Sequence, residues 1–270
     1  MLSIIIPDLH GDFEEFCNIL YVYRILNENN KKYISEIMLS NLYKSRLNMQ
    51  NKRIIQLGDI LDSKNRNPNS KYSINYSDML LFSFICGFKQ AFPDQVILIM
   101  GNHELLNCRK VFEYVSPYSS RNSSDYSNIV NSVLSLFQYS FIDDFNNLFI
   151  HACIPRIAKS KHDLVSIDEF IKLHLLDLTN IQFSNLYNCI FKREYTSQDQ
   201  LDVLGINRVF FGHMPHENVL VMNNNSTFYV DTMISRSFSS MLNAYECISI
   251  NDDNSISIDT FKRFVRYNTF

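Results

Sequence analysis

An α/β fold is what the order of this sequence predicts, on two observations. Five short apolar runs each break off at a polar cluster, and longer stretches with helical spacing separate several of them. Towards the end of the chain the pattern changes to alternating runs joined by polar turns, which marks antiparallel strands.

Taken in order, LSIII at 2–6 is the first strand, buried at Ile4, Ile5 and Ile6, and leads into PDLHGD. FEEFCNILYVYRIL sets Phe13, Phe16, Cys17, Leu20 and Tyr23 along one stripe of an amphipathic helix. RIIQL at 53–57 is the next strand and ends at GDILDSKNRN. YSDMLLFSFICGFKQAF predicts a second helix, capped by Ser77 or Asp78, whose side-chain oxygens can accept from first-turn amides. QVILIM at 95–100 stops at GNHE, NLFI at 147–150 stops at HACIP, and NRVFF at 207–211 stops at GHMPHEN. In the tail, NVLVM and TFYVDT flank NNNS, and AYECISI and SISIDTF flank NDDN. The polar stretches 63–77 and 116–128 read as surface loops, not linkers, so one domain over 1–270 is expected.

The totals narrow the function classes. At 270 residues and 46% hydrophobic the chain can bury a full core, and a net charge of −3 gives no basic field to attract nucleic acid. No apolar run is long enough to cross a membrane, and the N-terminal run is too short and wrongly flanked for a signal peptide. A cytoplasmic protein is expected, and the six cysteines, none in a Cys-x-x-Cys pair, read as reduced and mostly buried. The abundance of Asn, Ile, Lys, Phe and Tyr suggests an AT-rich genome, such as that of a virus or parasite.

The polar clusters carry the chemistry. In α/β sheets, ligands bind in loops at the carboxyl ends of strands. Placed there, Asp8, His10, Asp59, Asn102, His151 and His213 converge. Two carboxylates, an amide oxygen and three imidazoles are too many for one tetrahedral zinc, and suit two divalent ions sharing a carboxylate. Four of the six glycines sit beside these ligands, where each is expected to let the backbone turn sharply. Singly the motifs are weak, because Gly-Asp alone marks a turn more often than a ligand. The five together, each after an apolar run, are a strong signal.

With PDLHGD, GDILDSKN, GNHELLN, HACIP and GHMPHEN in this order, the sequence resembles the calcineurin-like metallophosphoesterases, and among them the phosphoprotein phosphatases. GNHELLNCRKVFEYVSP, FKREYTS and YVDTMISRSF look most like the Shewanella-like and Rhizobiales-like bacterial-type branch. The resemblance covers residues 4 to about 238. It implies a four-layer αββα sandwich of two mixed sheets flanked by helices. It also implies hydrolysis of a phosphoprotein or small phosphate ester by water activated between two divalent ions, Mn²⁺ first, with iron or zinc as alternatives. Asp8 and His10 would hold the first ion, Asp59 would bridge both, and Asn102, His151 and His213 would hold the second. His103 would be the general acid, oriented by Asp62, and Arg193 would hold the phosphate.

The match departs from the family pattern at three places. Ser63 stands where a phosphate-binding arginine is expected, and offers neither charge nor a bidentate grip; Lys64 or Arg66 would have to supply charge instead. Ala152-Cys153 replaces Gly-Gly after His151, which narrows the floor of the site or brings a thiol near the metals. Pro7 precedes Asp8, which a strand end tolerates. His216, one residue further from His213 than in the phosphodiesterase pattern, reads as an exposed loop histidine; His162 and His174 read as structural, and Arg121 and Arg236 as solvated or substrate-facing. Phospho-Ser/Thr or phosphotyrosine protein is the expected substrate. The alternatives are a hydrolase of dinucleoside polyphosphates resembling diadenosine tetraphosphate, and a weakly active module that recognises phosphate.

Overall fold

The computed structural model describes residues 1–28, 31–62, 77–110, 123–174, 189–234 and 244–262. The elements in chain order begin with β1 (Leu2–Ile6), α1 (Phe13–Val22), α2 (Lys31–Leu39), α3 (Tyr43–Arg46), β2 (Lys52–Gln56), α4 (Ser77–Ala91) and β3 (Val96–Ile99). Next come α5 (Asn102–Cys108), α6 (Ser123–Ser132), β4 (Phe137–Gln138), β5 (Ser140–Ile142), β6 (Asn147–Ile150) and α7 (Lys161–His174). Then follow α8 (Gln198–Leu204), β7 (Arg208–Phe211), β8 (Leu220–Met222), β9 (Thr227–Tyr229), β10 (Ala244–Ile250) and β11 (Ile256–Lys262).

Two mixed sheets result. The first has the order β11-β10-β1-β2-β3-β4 and the second β5-β6-β7-β9-β8. β1 to β4 run parallel, as do β6, β7 and β9, while β10, β11, β5 and β8 pair antiparallel at the margins. Both tail hairpins form, but in different sheets. β8–β9 completes the second sheet, with β9 lying parallel to β7, and β10–β11 extends the first.

Period-two alternation gives each sheet two apolar faces. Ile5, Ile55, Ile97 and Ile99 of the first sheet meet Phe149, Phe210 and Phe228 of the second in one buried layer. There Phe210 stacks between Phe149 and Phe228, with ring centroids 5.0 and 4.8 Å away. Each such aromatic removed from water contributes about 1.5–3 kcal/mol. The opposite faces, with Ile4, Ile6, Ile54 and Leu98 on one side and Leu148, Ile150, Val209 and Phe211 on the other, are covered by helices. α1 brings Phe16, Ile19 and Leu20, α4 brings Leu81, Phe84 and Phe88, α7 brings Leu164 and Ile171, and α8 brings Leu201 and Leu204. The layers are helix, sheet, sheet, helix, as expected.

Asp12 caps α1 by accepting from the Glu15 amide at 3.2 Å. Ser77 begins α4 with Asp78 in its first turn. One loop expectation fails in part. Of the stretch 116–128, residues 123–128 lie inside α6, which buries Val130 and Ser127. Few apolar residues mark that helix, so its spacing carried little signal. Residues 63–76, with Ser63, Lys64 and Arg66, and the positions of Arg121 and Arg236 lie outside the described residues. No helix among the described residues is long and apolar enough to cross a membrane.

Candidate metal centre

Eight of the singled-out side chains stand just beyond the carboxyl end of a strand in the parallel core. Asp8 and His10 follow β1, Asp59 and Asp62 follow β2, and Asn102 and His103 form the first turn of α5 after β3. His151 follows β6 and His213 follows β7, so both sheets contribute. All eight are buried.

The backbone bends through these residues themselves. His10, Asp59, Asp62 and His213 have φ of 42°, 51°, 70° and 60°, in the left-handed region that Asp and His enter more readily than most residues. Such conformations cost about 1–3 kcal/mol each and gather where a site holds them in place. Gly58 also turns, at φ 100°. Gly101, by contrast, is extended at φ −90°, and its role is proximity. A Cβ there would lie 2.2 Å from the Asp59 amide nitrogen and 2.3 Å from Asp59 Oδ1, and one at Gly212 would lie 2.5 Å from Asp8 Oδ1. These glycines let neighbouring loops approach the carboxylates, and the expectation of sharp turns at each is corrected accordingly.

Glu104 organises these loops, and sequence reasoning gave it no role. Its Oε2 accepts from the amides of Asp59 (2.9 Å) and Gly101 (3.0 Å), and its Oε1 from those of Ile60 (2.9 Å) and Leu61 (3.0 Å). It thus closes one half of a capping box on α5, while the His103 amide donates to Asp59 Oδ1 at 3.0 Å. A Glu three residues after the glycine that opens a helix was the available signal. Burial, then the Asp59 carboxylate, push the Glu104 carboxyl up to about 7. Gln56, also fully buried, holds Gly58 through its amide group, accepting from Gly58 N at 2.9 Å and donating to Gly58 O at 2.7 Å.

The imidazoles show what the cluster is built for. His151 Nδ1 is 2.7 Å from Leu57 O, His10 Nδ1 is 3.3 Å from Leu61 O, and His213 Nε2 is 3.1 Å from Phe191 O. His103 Nδ1 lies 3.0 Å from Asp62 Oδ2. A ring nitrogen facing a carbonyl or carboxylate must carry the proton, so in the neutral ring the other nitrogen is a bare acceptor. That second nitrogen faces Asp59 in three of the rings: His151 Nε2 at 3.5 Å from Oδ1, and His103 Nε2 and His10 Nε2 at 3.7 and 3.8 Å from Oδ2. His151 Nε2 also meets Asn102 Oδ1 at 3.0 Å. Acceptors converge on acceptors, which requires protons or cations between them.

Metal ions fit this arrangement. Atoms bound about 2.0–2.2 Å from one ion stand roughly 3–3.6 Å from each other, close to the spacings seen. Asp8, Asp59, His151 and His213 form one group of potential ligand atoms within 4.8 Å of one another, and His10, Asp59 and His103 form a second. Asp59 belongs to both. The structure thus brings together all the residues singled out as ligands. It puts Asp8 with His151 and His213 while keeping it 3.9 Å from His10, and it adds His103 to the second group. Burial opposes ionisation of Asp59, but the surrounding imidazoles, His151 foremost, outweigh it and hold its pKa well below the carboxylate range. Burial, with His151 next, pushes the His213 pKa down to about 3 and keeps that ring neutral, as a ligand must be.

Arg193 is exposed, on the segment after Phe191, and its charge adds to the depression of the His213 pKa, behind burial and His151. His216 is half-buried, not exposed. Its amide donates to Asp231 O at 2.8 Å and its ring lies edge-on to Tyr229 at 6.0 Å. His162 lies exposed on α7. The Cys153 thiol turns to Cys189 O, at 2.9 Å.

The calcineurin-like phosphoesterase family profile matches residues 1–217. A comparison with curated protein sequences finds no match. Among solved structures, the cold-active protein tyrosine phosphatase of a psychrophilic Shewanella species superposes with a TM-score of 0.65 at 16% identity, over 97% of this chain and 80% of that one. Another structure of a cold-active protein tyrosine phosphatase gives a TM-score of 0.67 at 16% identity, over 95% and 78%. A protein serine/threonine phosphatase from Saccharomyces cerevisiae, with similarity to human phosphatase PP5, gives 0.60 at 15% identity, over 99% and 82%. At these identities the likeness is one of fold.

Proposed function

We propose a function for a chain that belongs to the calcineurin-like phosphoesterases, hydrolases of phosphoric esters: it is a metal-dependent phosphomonoesterase acting on phosphoprotein, at phospho-Ser/Thr or phospho-Tyr. One observation carries the reading. Three buried imidazoles, those of His10, His151 and His213, each have one nitrogen engaged by a backbone carbonyl, which leaves the other as a lone pair beside a buried aspartate pair. In this reading Asp8, His10 and Asp59 would hold one ion, and Asp59, Asn102, His151 and His213 the other, with Asp8 also within reach of the second set. Two divalent ions there, Mn²⁺ in our reading, would neutralise phosphoryl charge and make a water nucleophilic near neutral pH.

The chain's own groups do the rest. Leu57, Leu61 and Phe191 carbonyls fix the ring orientations, so little rearrangement is needed when substrate binds. Asp62, 3.0 Å from His103 Nδ1, stabilises the imidazolium, whose Nε2 then carries the proton for the leaving oxygen. Arg193, exposed and near enough for its charge to act on His213, grips the phosphoryl oxygens. The apolar layer shared by both sheets supports a single catalytic domain over 1–270, and thiols without disulfides fit a cytoplasmic setting.

The test is turnover with Mn²⁺ on phosphoserine, phosphothreonine and phosphotyrosine peptides against diadenosine tetraphosphate. Release of phosphate from a phosphopeptide with at least tenfold higher kcat/KM than from the dinucleotide is expected. Preference for the dinucleotide, or saturable phosphopeptide binding without turnover, would overturn the assignment.

A further inference from the structure

The described cysteines fall into two kinds. Cys17, Cys86, Cys108 and Cys247 are buried, and burial pushes each thiol up, Cys86 and Cys108 to about 12. Cys153 and Cys189 instead meet each other. Cys153 Sγ donates to Cys189 O at 2.9 Å, and the two thiols are near enough for each to shift the other's pKa. Cys153 is buried, whereas Cys189 is partly exposed. The Cys189 thiol is drawn down to about 7 by the neighbouring Cys153 thiol, against burial, with Lys192 helping.

The pair sits on two segments that serve the metal-ligand cluster. Cys153 is two residues beyond His151, and Tyr139 fixes its backbone by donating to Cys153 O at 3.2 Å. Cys189 is two residues before Phe191, whose carbonyl faces His213 Nε2, and four before Arg193. Neither thiol has a part in the proposed hydrolysis. A thiolate that is accessible, close to a second thiol and near a cation is the arrangement that oxidises selectively.

We propose that Cys153 and Cys189 are a reversible dithiol, which hydrogen peroxide closes into a disulfide beside the metal-ligand cluster. The Cys189 thiolate attacks one peroxide oxygen, the O–O bond breaks, and hydroxide leaves, so Cys189 becomes a sulfenic acid. Cys153 sulfur then attacks Cys189 sulfur, the S–O bond breaks, and water leaves with the Cys153 proton. In sum, two thiols and one peroxide give one disulfide and two waters, a two-electron oxidation of the protein. An external dithiol reverses it by thiol–disulfide exchange. The cross-link ties the segment after His151 to the segment that carries Phe191 and Arg193.

The inference does not depend on the phosphatase reading, because its readout is mass. The reduced, intact protein is treated with one equivalent of hydrogen peroxide, quenched by alkylation, and peptide-mapped without reduction. We expect a Cys153–Cys189 linked peptide, loss of two of the six thiols, and return of both with dithiothreitol. In Cys153→Ser, Cys189 is expected to stop at the sulfenic acid, with no second thiol lost. Six thiols remaining in the wild type, a disulfide to any other cysteine, or Cys189 advancing to sulfinic acid while Cys153 stays free would overturn the proposal. The wild-type map decides the matter even if the variant does not fold.

Discussion

At the scale of single residues, Asp59 stands where the two potential ligand groups meet. As the proposed bridge it would balance charge on both ions, so Asp59→Asn is expected to lower metal content at both positions and turnover by at least ~100-fold, since even residues behind the ligands cost 10–100-fold. Metal analysis alongside kcat checks this, and a variant with full metal and activity removes Asp59 from the centre. His103 gives a sharper test. Losing a general acid costs roughly 10²–10⁴-fold, but only where the leaving oxygen needs a proton. His103→Asn should therefore damage phosphoserine peptide turnover far more than that of p-nitrophenyl phosphate, whose leaving group is stable as an anion. Equal losses on both substrates would assign His103 to metal binding, the other place its geometry allows. The candidate ligands were legible as residues because each short polar side chain followed an apolar run. Their pairing was less so, since which aspartate oxygen faces which ring depends on two sheets meeting.

At the scale of elements, the loops after β2 and β3 are locked together by Glu104. Its four backbone partners leave no place for an amide donor. Above pH 7, where the carboxyl is ionised, Glu104→Gln turns one accepting oxygen into an NH₂ facing two N–H groups, and should cost about 2–4 kcal/mol from lost charge-assisted bonds and unpaired buried groups. Urea denaturation of metal-free protein measures it; a loss below 1 kcal/mol would mean the loops hold without it. Gly101→Ala should be worse, because its Cβ would meet backbone and the Asp59 carboxylate within 2.3 Å. The five strands that carry the site were readable from their apolar runs to within a residue or so at either end. α6 was not, because its apolar spacing is thin. The glycines were visible, yet whether one supplies a turn or an absent Cβ depends on what packs against it, which one chain segment cannot tell.

At the scale of the whole molecule, the centre exists only because the two sheets share an apolar layer, and its electrostatics link to folding. The His213 pKa is lowered from 6.5 to about 3, so between those values the unfolded chain takes up a proton that the folded chain refuses. Stability from His213 is therefore complete above pH 6.5 and lost as pH falls, by at most ~1.4 kcal/mol per unit. Glu104, raised from 4.5 to about 7, acts oppositely, since its folded form keeps a proton that the unfolded form gives up as pH rises. The two slopes offset each other between pH 4.5 and 6.5, and below 4.5 the loss from His213 stands with that from Asp59. Metal-free protein should show a plateau in urea midpoint down to about pH 4.5 and a steep fall beneath it, and His213→Asn should flatten that fall. The four-layer order was legible through the family resemblance, whereas the contribution of β9 to the second sheet was not, because a hairpin pattern does not say which strand its other edge joins. The most direct test of the central claim is anomalous diffraction at the manganese edge from crystals grown with Mn²⁺. Two peaks about 3.5–4 Å apart, with Asp59 between them, are predicted; one peak, or none among Asp8, Asp59, His151 and His213, would contradict the account.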